Sequence, residues 1–135
     1  MNLTGQQLIG YRESDESDEV FPALDPRNGS GLETVFHEAT KEEINEAVVQ
    51  ADSVFGEFRD RLAEARADFL EAICEETMAL GDDLLVRASA ETGHPLARCE
   101  MERTRAVNQA YIFADLIREG SWADARIDLG DPTRQ

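Results

Sequence analysis

The feature that most constrains this fold is the helical periodicity that runs from residue 40 to residue 119. Apolar residues recur there at intervals of three and four, which predicts amphipathic helices rather than strands. Gly81 is placed as a C-terminal helix cap, and Gly93 and Pro95 stop one helix and restart the chain. We therefore expect four helices, at about residues 40–58, 62–80, 83–92 and 96–119.

Local signals support these helices. Thr40 followed by Glu43 is a capping-box pattern, and Asp82 or Asp83 is expected to cap the third helix. Each helix also carries an apolar stripe through which we expect the four to pack on one another. The stripes are Ile44, Ala47, Val48, Ala51, Phe55 and Phe58; Leu62, Phe69, Leu70, Ile73, Thr77 and Leu80; Leu84, Leu85 and Ala88; and Leu96, Cys99, Ala106, Ala110, Phe113 and Ile117, widened by Val107, Tyr111 and Leu116.

The stretches on either side of the helices are less regular. Residues 1–39 are expected to form a small β-hairpin from Gln6–Tyr11 and Leu32–His37, separated by an acidic loop, Glu13–Glu19, that lacks the spacing of an EF-hand. Gly29-Ser30-Gly31 fits a hairpin loop better than a phosphate cradle. Residues 120–135, with Trp122, Ala123 and Ile127, are expected to begin an extended segment that stays unfinished. The predicted class is a helix-rich α+β chain.

Charge and cysteine content exclude several classes of protein. The 13 basic and 29 acidic residues give a formal net charge of −16, which argues against binding to nucleic acids or to anionic membranes. No apolar run is long enough to span a membrane, and no secretory signal is visible. Two cysteines make no disulfide framework, so we expect a cytoplasmic protein. Lys41 is the single lysine; adaptation to high salt and a genomic bias toward arginine both explain this.

Candidate reactive residues are few. His94 lies in a turn and His37 ends a strand, and we interpret both as structural because no nucleophile and orienting residue can be placed beside them. Cys74 is expected to be a buried structural thiol. Cys99 has Arg98 and Arg103 nearby, which could lower its pKa, but a reactive thiol also needs access. No GxGxxG or GxxxxGK[ST] phosphate loop occurs. We therefore expect no catalytic, cofactor-binding or metal-binding residues in this chain.

The order of several short motifs resembles a known family. Asp25-Pro26-Arg27-Asn28-Gly29 is similar to an Asn-Pro-Ala-Thr-Gly turn, and Glu91-Thr92-Gly93-His94-Pro95 resembles a Glu-Thr-Gly-Lys-Pro turn. Both turns are found in the N-terminal portion of aldehyde dehydrogenases. Ala67–Ile73 is similar to the family's Arg-x-x-x-Leu-x-x-Ile helix. The branch of α-ketoglutaric semialdehyde (2,5-dioxovalerate) dehydrogenases is most similar, through Glu102–Arg105, Phe113-Ala114, Arg118–Trp122 and Ala125–Asp128.

The resemblance implies a role inside a larger enzyme. A complete member oxidises an aldehyde with NAD or NADP, using a cysteine thiolate and a general-base glutamate, and carries a Rossmann-like domain, a catalytic domain and an oligomerisation flap. Those functional residues are expected beyond Gln135, and neither Cys74 nor Cys99 has a matching context. Some members hold a monovalent cation at the turn that matches Glu91, with carbonyls around Ala23 and Leu24; a helix-end carboxylate facing water is the simpler interpretation.

Two hypotheses remain at this stage. The first is a piece of an NAD(P)-dependent aldehyde dehydrogenase that is inactive alone, whose apolar helix faces are covered by the remainder of the enzyme or by self-association. The second is an autonomous acidic helical interaction module. The first predicts exposure of the apolar residues at the end of the fourth helix, and the second predicts their burial. These residues are Ile112, Phe113, Leu116 and Trp122.

Overall fold

The computed structural model describes residues 3–125 and has four short strands followed by four helices. The expected helix-rich α+β fold is therefore confirmed. The strands pair into two separate antiparallel two-stranded sheets. The elements are β1 (Gln7–Ile9), β2 (Arg12–Ser14), β3 (Val20–Asp25), β4 (Ser30–His37), α1 (Lys41–Asp60), α2 (Ala63–Ala79), α3 (Gly81–Thr92) and α4 (Leu96–Glu119).

The N-terminal region contains two β-hairpins, whereas the sequence analysis predicted one. Gln6–Tyr11 covers β1 and a two-residue turn, and β1 pairs with β2, with Ile9 opposite Arg12. Gly10 has a φ of +59° in this turn, a left-handed conformation that suits glycine. The chain therefore reverses directly into β2, long before the expected strand Leu32–His37. The acidic run is correspondingly shorter as a loop, because Glu13 and Ser14 belong to β2.

The second hairpin joins β3 to β4, with Val20 opposite His37 and Asp25 opposite Ser30. The register shifts between Pro22 and Leu24, as expected where a proline removes a backbone donor. The connecting turn closes through the Gly29 amide, which donates to the Asp25 carbonyl oxygen at 2.7 Å. The expected loop at Gly29 is therefore confirmed, although Ser30 already belongs to β4.

The helix boundaries follow the local signals with one exception. The capping box is confirmed: the Glu43 amide donates to the Thr40 hydroxyl at 3.1 Å, and the Thr40 amide donates to the Glu43 carboxylate at 2.8 Å. Gly81, with a φ of +59°, separates α2 from α3. The aspartate cap of α3 is wrong, because α3 begins at Gly81 itself with no side-chain cap and leaves Asp82 and Asp83 inside its first turn. Their negative charges there suit the helix dipole.

Glycines also end the last two helices, as expected. Gly93 and Gly120 are the C-caps of α3 and α4, with φ of 72° and 78°. Ser121–Ala123 then forms a short 3-10 helix. The extended conformation predicted for Trp122 and Ala123 is therefore wrong. The remainder of the expected extended segment, including Ile127, lies outside the described residues.

The core lies between α2 and α4, with α3 packed against α4 and β3. Small residues at the contact, such as Ala67 and Ala114, are fully buried and let the two helices approach closely. The Cys74 thiol lies 3.5 Å from the Val107 carbonyl oxygen, while Arg118 near the end of α4 reaches Glu64 near the start of α2. The two helices therefore run antiparallel.

The predicted apolar stripes are only partly buried. Leu85, Cys99 and Val107 are buried as expected. On α2 the predicted buried stripe is wrong, because its residues Phe69 and Ile73 are exposed while Ala67 and Cys74 are buried. Small side chains such as these allow the closest contact with α4. The expected packing through α1 is confirmed only at its end, where Phe58 meets Phe69 of α2 edge to face with ring centroids 5.7 Å apart. Elsewhere α1 mainly contacts β1, and much of its stripe is exposed, namely Ile44, Val48, Phe55 and part of Phe58.

Candidate docking surface

The two histidines support backbone turns. His37 Nδ1 lies 2.9 Å from the Ser17 carbonyl oxygen, which ties the end of β4 to the acidic loop. His94 uses its backbone, accepting from the Ser89 hydroxyl at 2.7 Å and donating to Thr92 Oγ1 at 3.3 Å. Both arrangements fit the structural roles inferred from the sequence.

The two cysteines are buried, free thiols. Arg98 and Arg103, the cations expected near Cys99, interact elsewhere: Arg98 pairs with Glu102 at 2.5 Å, and Arg103 donates to the Gly81 carbonyl oxygen at 2.8 Å. Burial limits access of an aldehyde or an oxidant to either thiol. The cysteines are therefore part of the helix contacts rather than an open reactive site.

The turn at which some family members hold a monovalent cation carries an ion pair here. Glu91, at the end of α3, is exposed and pairs with Arg87. Arg87 in turn lies over the ring of Phe36, with the guanidinium carbon 5.7 Å from the ring centroid. Within residues 3–125, no group of three or more acidic, histidine or cysteine side chains is arranged to hold a metal ion.

A buried carboxylate organises the acidic loop, which sequence reasoning missed. Glu43 is 1% exposed. It accepts from the Thr40 amide and hydroxyl at 2.8 and 2.9 Å, and from the Glu16 amide at 3.4 Å. The Ser14 hydroxyl is buried and also interacts with this carboxylate. These donors, Ser14 foremost, lower the pKa of Glu43 to about 2, so an ionised side chain holds β2 and the loop against α1.

The C-terminal part of α4 and the turn after it carry four apolar residues that the described part of the chain leaves uncovered. Ile112, Phe113 and Leu116 are 58%, 50% and 41% exposed, and Trp122 just beyond the helix is 56% exposed. We call these four residues the α4 surface. Their exposure is the outcome that the sequence analysis expected for a piece of a larger protein, and it does not support an autonomous module.

A second uncovered region, the α1 surface, consists of Ile44, Val48, Phe55 and Phe58, which are 44–63% exposed. Beside it, an open groove of about 890 Å³ lies between α1 and the β1–β2 hairpin. Its lining includes apolar side chains from both elements, among them Leu8, Ile9, Ala47, Ala51 and Val54. Monomeric soluble proteins rarely leave contiguous apolar patches of this kind, which usually mark interaction sites.

Arg118 of α4 forms ion pairs with several carboxylates of α2. Arg118 binds three carboxylates of α2: Nε contacts Glu64 at 2.9 Å, Nη2 contacts Asp68 at 2.9 Å, and both Nη atoms contact Glu71 at 2.5 and 2.9 Å. Hydrogen bonds to Glu71 and Glu64 raise the pKa of Arg118, and the same guanidinium lowers the pKa of Glu71. The described residues therefore offer packing surfaces and ion pairs.

No helix among the described residues is long and apolar enough to cross a membrane.

Comparison with known proteins identifies the family. The family model described as "Aldehyde dehydrogenase family" matches residues 11–131. Alpha-ketoglutaric semialdehyde dehydrogenase 2 from Azospirillum brasilense is 42% identical over 135 residues, covering 99% of this chain and 26% of that enzyme. Alpha-ketoglutaric semialdehyde dehydrogenase from Acinetobacter baylyi is 37% identical over 101 residues, covering 75% of this chain and 19% of that enzyme.

A solved structure agrees. A point mutant of betaine aldehyde dehydrogenase from Staphylococcus aureus, in complex with NAD⁺, superimposes with a TM-score of 0.76 at 25% identity, covering 96% of this chain and 26% of that one. The chain thus spans about a quarter of the length of the A. brasilense enzyme and of this betaine aldehyde dehydrogenase. Sequence and fold lead to the same conclusion: the chain belongs to the aldehyde dehydrogenase family.

Proposed function

We propose that this chain is the N-terminal helical part of an NAD(P)-dependent dehydrogenase that oxidises a small semialdehyde, such as α-ketoglutaric semialdehyde (2,5-dioxovalerate), to the carboxylic acid. Two matching relatives carry that substrate in their names, one of them at 42% identity over 99% of this chain. The neighbouring solved structure is bound to NAD⁺, which supports a nicotinamide cofactor for the complete enzyme.

The described residues do not themselves fit a dinucleotide. A pyrophosphate is usually held by backbone amides at the start of a helix that follows a parallel strand. Here the two sheets are antiparallel. At the start of α1, the Thr40 and Glu43 amides already donate to the Glu43 and Thr40 side chains, respectively. Cofactor binding and the chemical step are therefore assigned to parts of the enzyme outside residues 3–125.

The observation that carries the proposed role is the exposure of the α4 surface. Burial of apolar area is the main driving force for packing between protein parts. The α4 surface adjoins the point where the chain leaves α4 at Gly120, so the segments that follow are well placed to cover it. We therefore propose that the remainder of the dehydrogenase docks on the α4 and α1 surfaces, and that this chain is inactive alone.

A chimera tests the proposal. This chain would replace the matching segment of the A. brasilense enzyme, and formation of NADH or NADPH from α-ketoglutaric semialdehyde would be measured. We expect the chimera to be active and the isolated chain to be inactive. NADH formation by the isolated chain, abolished by Cys99→Ser, would overturn the assignment of chemistry to other parts of the enzyme.

A matched pair of variants in the chimera tests the docking surface. Phe113→Asp places a charge in the α4 surface, whereas Asn108→Asp adds the same charge at an exposed polar position of the same helix. We expect Phe113→Asp to reduce the yield of assembled, active chimera and Asn108→Asp to leave it close to that of the parent. Equal activity of the two variants would contradict docking on the α4 surface.

In isolation we expect the same surfaces to drive self-association. The net charge of −16 opposes contact between copies, but salt screens that repulsion within about 8 Å at physiological ionic strength. The isolated chain should therefore be monomeric at low salt and oligomerise as salt rises, with Trp122 emission shifting to the blue. Sedimentation of a compact monomer at every salt concentration, with emission already blue, would instead favour an autonomous module.

A further inference from the structure

The contacts of Arg118 suggest a role beyond stabilising the helix pair. Arg118 lies in the last turn of α4, immediately before the residues that lead out of the helix. Its side chain is 26% exposed, and it makes four hydrogen bonds to three carboxylates. The pairing with Glu71 is bidentate, the geometry that most restricts the orientation of a guanidinium.

The three carboxylates have the spacing of one helix face. Glu64, Asp68 and Glu71 lie four and three residues apart on α2, so their like charges are neighbours and repel one another. Hydrogen bonds from Arg118 offset this repulsion for all three. The end of α4 is thus held at several points along α2, rather than through a single surface ion pair of the kind that contributes little.

The residues after Arg118 form a compact exit from the helix. Gly120 adopts a φ of 78°. The Glu119 carboxylate then accepts from the Ser121 amide at 3.0 Å and from the Ser121 hydroxyl at 2.5 Å, which fixes the first turn of the 3-10 helix. The direction of this turn depends on how the last turn of α4 is oriented, and the ion pairs of Arg118 join that last turn to α2.

We propose that Arg118 is a positioning residue that acts as a latch: besides joining α4 to α2, it fixes the direction in which the chain leaves α4, and this role is separate from the helical fold of α2 and α4. The latch consists of Arg118, Glu64, Asp68 and Glu71. It predicts that loss of Arg118 loosens the Ser121–Ala123 turn and leaves α2 and α4 helical. This inference does not depend on the substrate or the reaction of the complete enzyme.

Trp122 provides the readout, because it is the only tryptophan and lies in the exit turn. Fluorescence anisotropy and acrylamide quenching of Trp122 would be measured in the full chain at low salt, beside the helical circular dichroism. In Arg118→Gln we expect anisotropy to fall and quenching to rise toward the values of the urea-unfolded chain, with the helical signal retained. Arg118→Lys should restore only part of the change, since an ammonium cannot form the bidentate pair.

Two further variants separate the latch from a general effect of charge. Arg105→Gln is the control, because Arg105 lies on the same helix and pairs with Glu102 at 2.7 Å; it should leave Trp122 unchanged. Glu71→Gln keeps Arg118 but removes the bidentate partner, and should loosen Trp122. Unchanged Trp122 signals in Arg118→Gln, an equal change in Arg105→Gln, or loss of the helical signal in both Arg118→Gln and Glu71→Gln would overturn the proposal.

Discussion

Replacement of Gly5 by alanine should destabilise the N-terminal region far more than the same change at other glycines. Gly5 has a φ of +74°, and its carbonyl oxygen accepts from the His37 amide at 3.0 Å. A Cβ atom added at Gly5 would lie 1.9 Å from the Val35 carbonyl oxygen and 3.0 Å from the Val35 carbonyl carbon. Both atoms are backbone, so no side-chain rotation relieves the overlap.

The magnitude follows from two separate costs. A left-handed conformation costs an alanine about 1–2 kcal/mol relative to glycine. Steric overlap that shifts the backbone adds about 1–3 kcal/mol. We therefore expect Gly5→Ala to lower the free energy of unfolding by about 2–5 kcal/mol. That is a large share of the stability of a typical domain.

Substitutions at two other glycines separate the conformational cost from the steric cost. Gly29 has a φ of +73° with no atom within 4 Å of a built Cβ, so Gly29→Ala should cost only about 1–2 kcal/mol. Gly31 lies outside the left-handed region and meets Pro22 Cβ at an ordinary 3.5 Å, so Gly31→Ala should change stability by less than about 0.5 kcal/mol.

Urea unfolding followed by far-UV circular dichroism at low salt gives the three free energies. Hydrogen exchange of the His37 amide reports on the Gly5 contact directly, and should accelerate in Gly5→Ala alone. Equal stabilities of the Gly5→Ala and Gly29→Ala variants, with unchanged exchange at His37, would refute the reasoning, because the backbone overlap would then contribute nothing.

Two further predictions concern the buried groups. The folded-state pKa of Glu43 is about 2 against an ordinary 4.5, so its ionised form stabilises the fold above pH 4.5 and this contribution is lost as the pH falls toward 2. Urea unfolding of Glu43→Gln beside the parent should therefore show a stability difference at neutral pH that narrows across that range, and a constant difference would contradict it. Cys74 and Cys99 should react with Ellman's reagent only in urea, because both are buried; rapid reaction of the native chain would show that the α2–α4 contact opens easily.

The sequence predicted the helices well because their limits depend on local chemistry. The Thr40–Glu43 capping box and the Gly93 cap act within a few residues, so a short pattern is enough to place them. The separation of the N-terminal region into two hairpins was not visible, because strand pairing joins residues that are distant along the chain. Val20 opposite His37 is such a pair.

The buried faces were harder to predict than the helices themselves. Large apolar residues on α2, such as Phe69 and Ile73, suggested an inward face, yet the close contact with α4 uses Ala67 and Cys74. A stripe of large apolar residues indicates a face suited to packing, but not which part of a protein packs on it. Likewise, the capping role of Glu43 was predicted, whereas its burial depends on the acidic loop folding over it.

The burial of Glu43 has a consequence for how this region moves. Its carboxylate accepts hydrogen bonds from the Thr40 cap and the Glu16 amide and interacts with Ser14, and no arginine or lysine is among the contributors to its lowered pKa. Displacing the hairpin alone would leave the charge at the start of α1 with fewer of its donors, which makes partial opening unfavourable. The β1–β2 hairpin and the first turn of α1 should therefore open as one cooperative unit, with similar hydrogen-exchange protection despite lying more than 20 residues apart in sequence.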